Sequence, residues 1–170
     1  MSWNDLIDRA RPLGRPAPDR PVGWQAVGLT VEGLMTRDPL TIGPAALLTD
    51  ALDLMDRNSI HELPVARADG TLVGIISERD LRARLGPDLH EDGVESLPDE
   101  VLESLVEDHM TPDPFVVHAA AGAGAATRLL LEHRIGSLPV VGDAGELVGI
   151  LSITDVLAEA AVMFDRAERP

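Results

Sequence analysis

Gly70-Thr71-Leu72-Val73-Gly74-Ile75-Ile76-Ser77-Glu78-Arg79-Asp80 returns 75 positions later as Gly145-Glu146-Leu147-Val148-Gly149-Ile150-Leu151-Ser152-Ile153-Thr154-Asp155. The match extends outward at the same offset and without a gap. Leu63-Pro64-Val65 returns as Leu138-Pro139-Val140, Met35-Thr36-Arg37-Asp38-Pro39 as Met110-Thr111-Pro112-Asp113-Pro114, and Val31-Glu32 as Val106-Glu107. A self-match of this length marks two copies of one structural unit.

Each copy parses alike. A short strand, Leu40 to Ile42, follows the first Asp-Pro, and Phe115 to His118 follows the second. Pro44 suits a first helical turn, and Leu48, Ala51, Leu52 and Met55 form an apolar stripe that Asn58 closes. Glu62 to Ala66 reads as a strand, Asp69-Gly70 as a hairpin turn, and the apolar run Thr71 to Ser77 as a buried strand. Glu78 to Leu85 is a second helix. The later copy gives a helix over Ala125 to Arg134, a hairpin of Ser137–Val141 and Glu146–Ser152, and a helix from Ile153 to about Asp165. The fold class is therefore α/β (α+β), a pair of βαββα units. One such unit has too few apolar residues to hide its own sheet face, whereas two packed sheet to sheet do so.

The expected boundaries are an N-terminal arm over 1–26, a first repeat over 27–86, an acidic linker helix over 87–105 and a second repeat over 106–165. The arm carries Pro12, Pro16, Pro18 and Pro21, a linker composition after a possible short helix from Ser2 to Ala10. The linker is rich in Asp and Glu, and Val101, Leu102 and Leu105 fall on one side of a helix over Pro98 to Val106.

Composition narrows the function classes. Of the 170 residues none is Cys or Tyr and only two each are Trp and Phe, so the core is aliphatic and no thiol chemistry or disulfide is available. The net charge of −15 argues against a nucleic-acid backbone or an anionic membrane as partner. The acidic start lacks the cationic region of a signal peptide. No apolar run approaches the ~18 residues of a membrane span, and a cytoplasmic protein is expected. The five histidines show no metal-ligand spacing, Gly122-x-Gly124 opens the wrong helix for a dinucleotide loop, and no serine sits in a nucleophile elbow. Nothing points to catalysis.

The candidate chemistry lies at Ser77-Glu78-Arg79-Asp80 and Ser152-Ile153-Thr154-Asp155, where a buried strand passes into a helix. Ser-x-x-Asp is first of all a capping box. The same geometry suits a ligand: a helix N-terminus and a hydroxyl for a phosphate, a carboxylate for adjacent ribose hydroxyls, and Arg79 for a charged contact. The Leu-Pro-Val strands, with Pro64 and Pro139, offer apolar walls for a base.

With the Met-Thr-x-Asp-Pro start, the Leu-Pro-Val strand and Gly-[hydrophobic]₂-Ser-x-x-Asp in order and twice, the chain resembles a tandem pair of CBS domains, the regulatory modules named after cystathionine β-synthase. The resemblance covers about Val27 to Ala161 and implies a Bateman module. In such a module two pseudo-twofold clefts take adenosine-containing ligands such as AMP, ADP, ATP, S-adenosylmethionine or NAD. It implies phosphate contacts for Ser77 and Ser152, ribose contacts for Asp80 and Asp155, and association into a disc-like homodimer. Three features depart from the family pattern. His61-Glu62 and Gly136-Ser137 precede the Leu-Pro-Val strands where a basic residue is common, Ile153-Thr154 replaces Glu78-Arg79, and Gly122-Ala123-Gly124 weakens a helix start. They favour AMP or ADP over ATP and make the two clefts unequal. The expected function is a non-catalytic ligand sensor that signals through dimerisation or an unknown protein target. The alternative is a ligand-free dimerisation scaffold.

Overall fold

A computed structural model describes residues 28–85 and 103–168. The expected N-terminal arm and most of the linker helix lie outside these residues. Where the linker helix would end, the chain is extended at Leu105, which bridges Leu47.

The first copy contains α1 (Val31–Leu34), β1 (Thr36–Arg37), α2 (Leu48–Asn58), β2 (Glu62–Ala66), β3 (Leu72–Ser77) and α3 (Glu78–Leu85). The second contains a 3-10 turn (Val106–Asp108), β4 (Thr111–Pro112), β5 (Val117–His118), α4 (Ala123–His133), β6 (Ser137–Val141), β7 (Leu147–Ser152) and α5 (Ile153–Glu168). Leu48, Ala51 and Met55 are the buried stripe of α2, and α4 repeats it in smaller residues as Ala123, Ala126 and Leu130. The left-handed residue that closes α2 comes one position later than Asn58 suggests, and α4 runs Ala123–His133 against the expected Ala125 to Arg134. Ser59 and Arg134 take the left-handed conformation, each at φ 53°, while the Asn58 side-chain amide donates back to the Leu54 carbonyl at 2.8 Å. The strand expected at Leu40–Ile42 shrinks to one bridge between Ile42 and Val65. That expected at Phe115–His118 shortens to β5, which runs parallel to β6. The hairpins β2–β3 and β6–β7 turn through Gly70 and Gly145, both at φ 84°.

The two copies do not close separately. One sheet has the order β1-β7-β6-β5 and the other β2-β3-β4. Thus β1 from the first copy pairs with β7 of the second, Thr36 opposite Ile150. In return β4 from the second copy pairs with β3 of the first, Thr111 opposite Ile75. The preceding helical turns cross over with them. Val106 is fully buried among Leu48, Met55, Leu63 and Ile76, and Val31 is fully buried among Leu130, Leu138, Val140 and Leu151. Matching backbone bonds fix both crossings: Val106 N to Ala46 O and Val31 N to Ala121 O, each at 2.9 Å. This exchange, identical at an offset of 75, is the pseudo-twofold symmetry of the fold.

The crossing explains the repeated motifs. A Cβ on Gly74 would strike the Met110 Sδ and lie 3.1 Å from the Thr111 carbonyl oxygen, and a Cβ on Gly149 would meet Met35 Sδ and Thr36 O in the same way. Met of one copy therefore lies on Gly of the other, and both types are required by the close approach. Asp38 and Asp113 stand at φ 48° and 46°, a conformation that Asp tolerates better than most residues. Their N–H groups reach Val148 O and Val73 O as the strand ends. Gly74→Ala is expected to cost about 1–3 kcal/mol by overpacking. Chemical denaturation of Gly74→Ala, Met110→Ala and the double variant should show the double variant less destabilised than the two single losses added.

Candidate functional site

The exchange leaves a cleft of about 430 Å³ between the copies. Its walls include His61, Glu62, Ile75 and Ser77–Asp80 from the first copy, and Thr111, Asp113–Phe115 and Arg134–Ser137 from the second. The crossing segment lines it, because β4 pairs with β3 and the chain then continues through Phe115 into the other sheet.

Ser77 and Asp80 form a complete capping box. The Ser77 hydroxyl and N–H both donate to Asp80 Oδ2, at 2.6 and 2.9 Å, and the Asp80 N–H donates to Ser77 Oγ at 3.2 Å. Ser152 and Asp155 repeat it at 2.7, 2.7 and 3.2 Å. The Glu78 N–H is also taken, by the His61 carbonyl at 2.7 Å. The helix start is thus less open to a phosphate than its sequence suggests. Both cap bonds that Asp80 accepts end on Oδ2, which leaves Oδ1 outside the capping box.

The structure brings Ser77, Arg79 and Asp80 together in this cleft. Ser152, Thr154 and Asp155 occupy the symmetry-related position at the start of α5. Pro64 and Pro139 are buried inside β2 and β6, paired with Ile75 and Ile150, rather than on the wall of this cleft.

Two contributors escape sequence reasoning. Arg134, in the left-handed position after α4, gives the cleft a second guanidinium. Phe115 is 45% exposed and stacks on His133 with ring centroids 4.0 Å apart, an aromatic surface at the mouth. The 75-residue offset places Thr154, Ser59 and Leu40 where this cleft has Arg79, Arg134 and Phe115. The related cleft therefore loses both cations and the ring. The only sequence signal was the difference between the copies at those three positions.

Glu62 is the other residue that reaches across. Its carboxylate packs so closely on Gly136 that a Cβ there would collide with it. Ser137, 4% exposed, lies beside it, and the buried Ser137 hydroxyl has no hydrogen bond of good geometry among the described residues. Burial raises the Glu62 pKa above its ordinary 4.5, opposed by the nearby Ser137 hydroxyl, reinforced by the Asp80 charge, and opposed again by His61 and Arg79. His61 in turn contacts Glu78, Nδ1 to Oε2 at 2.6 Å.

A pair of βαββα repeats that exchange their opening strands, with Ser-x-x-Asp helix starts beside the cleft between them, defines a tandem two-repeat module. The CBS domain model matches residues 31–86 and 106–162, and the chain belongs to that family. It is 34% identical over 131 residues to a CBS domain-containing protein of Dictyostelium discoideum, covering 75% of this chain and 88% of that protein. It is 34% identical over 152 residues to the chloroplastic CBS domain-containing protein CBSX2 of Arabidopsis thaliana, covering 78% of this chain and 64% of that one. The structure of CBSX2 in complex with AMP superposes with a TM-score of 0.67 at 36% identity, over 80% of this chain and 98% of that one. An inosine-5'-monophosphate dehydrogenase of Bifidobacterium longum is 33% identical over 126 residues, which span 73% of this chain but 21% of the enzyme. Among the described residues no helix is long and apolar enough to cross a membrane.

The raised Glu62 pKa carries a stability prediction. A group that holds its proton more tightly when folded contributes stability that is full below its unfolded value and is lost as pH rises through the folded value. Glu62→Gln is therefore expected to gain on the parent protein as pH rises above 4.5. Melting temperatures of the two proteins from acid to neutral pH check this, and a pH-independent difference would refute it.

Proposed function

We propose that this chain is a cytoplasmic, non-catalytic CBS pair that binds an adenosine-containing ligand in the cleft between its repeats and signals through homodimerisation or a protein partner. The observation that carries the reading is the convergence of Ser77, Arg79 and Asp80 from one repeat with Phe115 and Arg134 from the other. Asp80 Oδ1 is placed to accept ribose hydroxyls, and the exposed Phe115 ring offers a face for a base. Arg79 and Arg134 match a monophosphate dianion. Each further phosphate would meet a cleft that already holds Glu62, Glu78, Asp80 and Asp113, so AMP and ADP suit it better than ATP. The AMP complex of CBSX2 supports the ligand class. A ligand that touches both repeats favours the arrangement in which both contact it, which is how binding becomes a signal.

The scaffold reading draws on one observation, the internally satisfied capping boxes of both repeats. Thermal-shift titration with AMP, ADP, ATP, NAD and S-adenosylmethionine separates the two. A ligand at 100 times its Kd adds about 2.7 kcal/mol, a clear rise in Tm. No shift with any of the five supports the scaffold. Within the ligand reading, Arg134→Ala is expected to weaken AMP at least tenfold, about 1.4 kcal/mol, with an unchanged ligand-free melt. Asp80→Asn should weaken AMP while costing at most about 1 kcal/mol of ligand-free stability, the worth of a cap. Calorimetric titration and denaturation of each variant check both.

A further inference from the structure

Glu62 and Ser137 occupy equivalent positions in the two copies, as do His61 and Gly136, and in the folded chain Glu62 lies against both Gly136 and Ser137. Glu62 therefore sits close to the pseudo-twofold axis, where the first copy places a carboxylate and the second a neutral hydroxyl. The carboxylate is pressed against a glycine and a buried serine, so it has little room to turn away from an incoming anion. We infer that Glu62 sets the charge that the cleft accepts: a nucleoside monophosphate binds with uptake of a proton at Glu62, and triphosphates are disfavoured by the same carboxylate. This rests on the reading of the cleft as an adenosine-ligand site.

The groups around Glu62 determine the direction. Asp80 on α3 adds a like charge, whereas His61 just before β2 and Arg79 on α3 favour the ionised form. Glu78 engages His61, and Arg134 contributes charge to the same cleft from the other repeat. A phosphate held by Arg79 claims a cation that favours ionised Glu62 and brings negative charge of its own. Both effects favour the protonated carboxyl. The Ser137 hydroxyl suits either state, since it donates to a carboxylate and accepts from a carboxyl. By linkage, a ligand that prefers protonated Glu62 binds more weakly as pH rises through the range in which the free protein loses that proton.

The test is calorimetric titration of AMP and ATP into the full chain and Glu62→Gln, between about pH 5 and 8 and in two buffers of different ionisation enthalpy. The glutamine variant carries the ligand's own phosphate titration and so serves as the reference. Relative to it, the parent protein should lose AMP affinity with rising pH, by up to about tenfold per unit for one proton. It should also take up an extra fraction of a proton on binding. The variant should improve ATP relative to AMP by about tenfold or more, the worth of one removed like charge in a partly buried site. Parallel pH profiles with equal proton uptake, or an unchanged ATP-to-AMP ratio, overturn the inference while leaving the cleft reading intact. Failure of both proteins to bind either nucleotide overturns the cleft reading and this inference with it. Glu62→Ser, which copies the residue of the second repeat, is the second variant should the glutamine protein fail to fold, and it should behave the same way.

Discussion

The structure depends on the crossing of each repeat's opening segment into the other repeat. Val31 and Val106 are fully buried in cores that otherwise belong to the opposite copy, and β1 and β4 lengthen the opposite sheets. Burying a side chain of this size contributes about 1.5–3 kcal/mol, so both cores are coupled through these two residues. The methionine and glycine of the repeated motifs then act as one contact, sulfur on bare backbone, made twice. A ligand site between repeats needs its halves held in register. The crossing supplies that, because the segment that completes the first sheet goes on to line the cleft.

The Ser-x-x-Asp motif does two things with one carboxylate. Its Oδ2 closes a capping box that stabilises the helix start, and its Oδ1 remains available. The cap and the ligand contact are therefore not rival readings. In the proposed ligand reading, the box pre-orients Asp80 before binding, which lowers the ordering cost. The second repeat has the same box, yet lacks the surrounding cations. Identical backbone chemistry thus leaves two clefts of different charge.

That difference is concentrated at few positions. Arg79, Arg134 and Phe115 on one side face Thr154, Ser59 and Leu40 on the other, and Glu62 near the axis faces Ser137. The repeats agree in residue at the Met–Gly contacts and the left-handed Asp positions, and in backbone alone at the helix ends. They diverge where side chains meet the cleft. Divergence between copies thus marks the surface of the cleft.

Sequence alone determined the repeat, the β2–β3 and β6–β7 hairpins, the helical stripes and the Ser-x-x-Asp boxes, because each is a local pattern of period, turn chemistry or capping. It placed Ser77, Arg79 and Asp80 correctly on one helix start. It did not reveal that Met35 to Asp38 and Met110 to Asp113 complete each other's sheets, since a two-residue strand has no period and its partner lies about a hundred residues away or forty residues back. Nor did it show Arg134, Phe115 or the approach of Glu62 to Gly136 and Ser137. These depend on which surfaces the crossing brings face to face, and only the packing of one repeat against the other decides that.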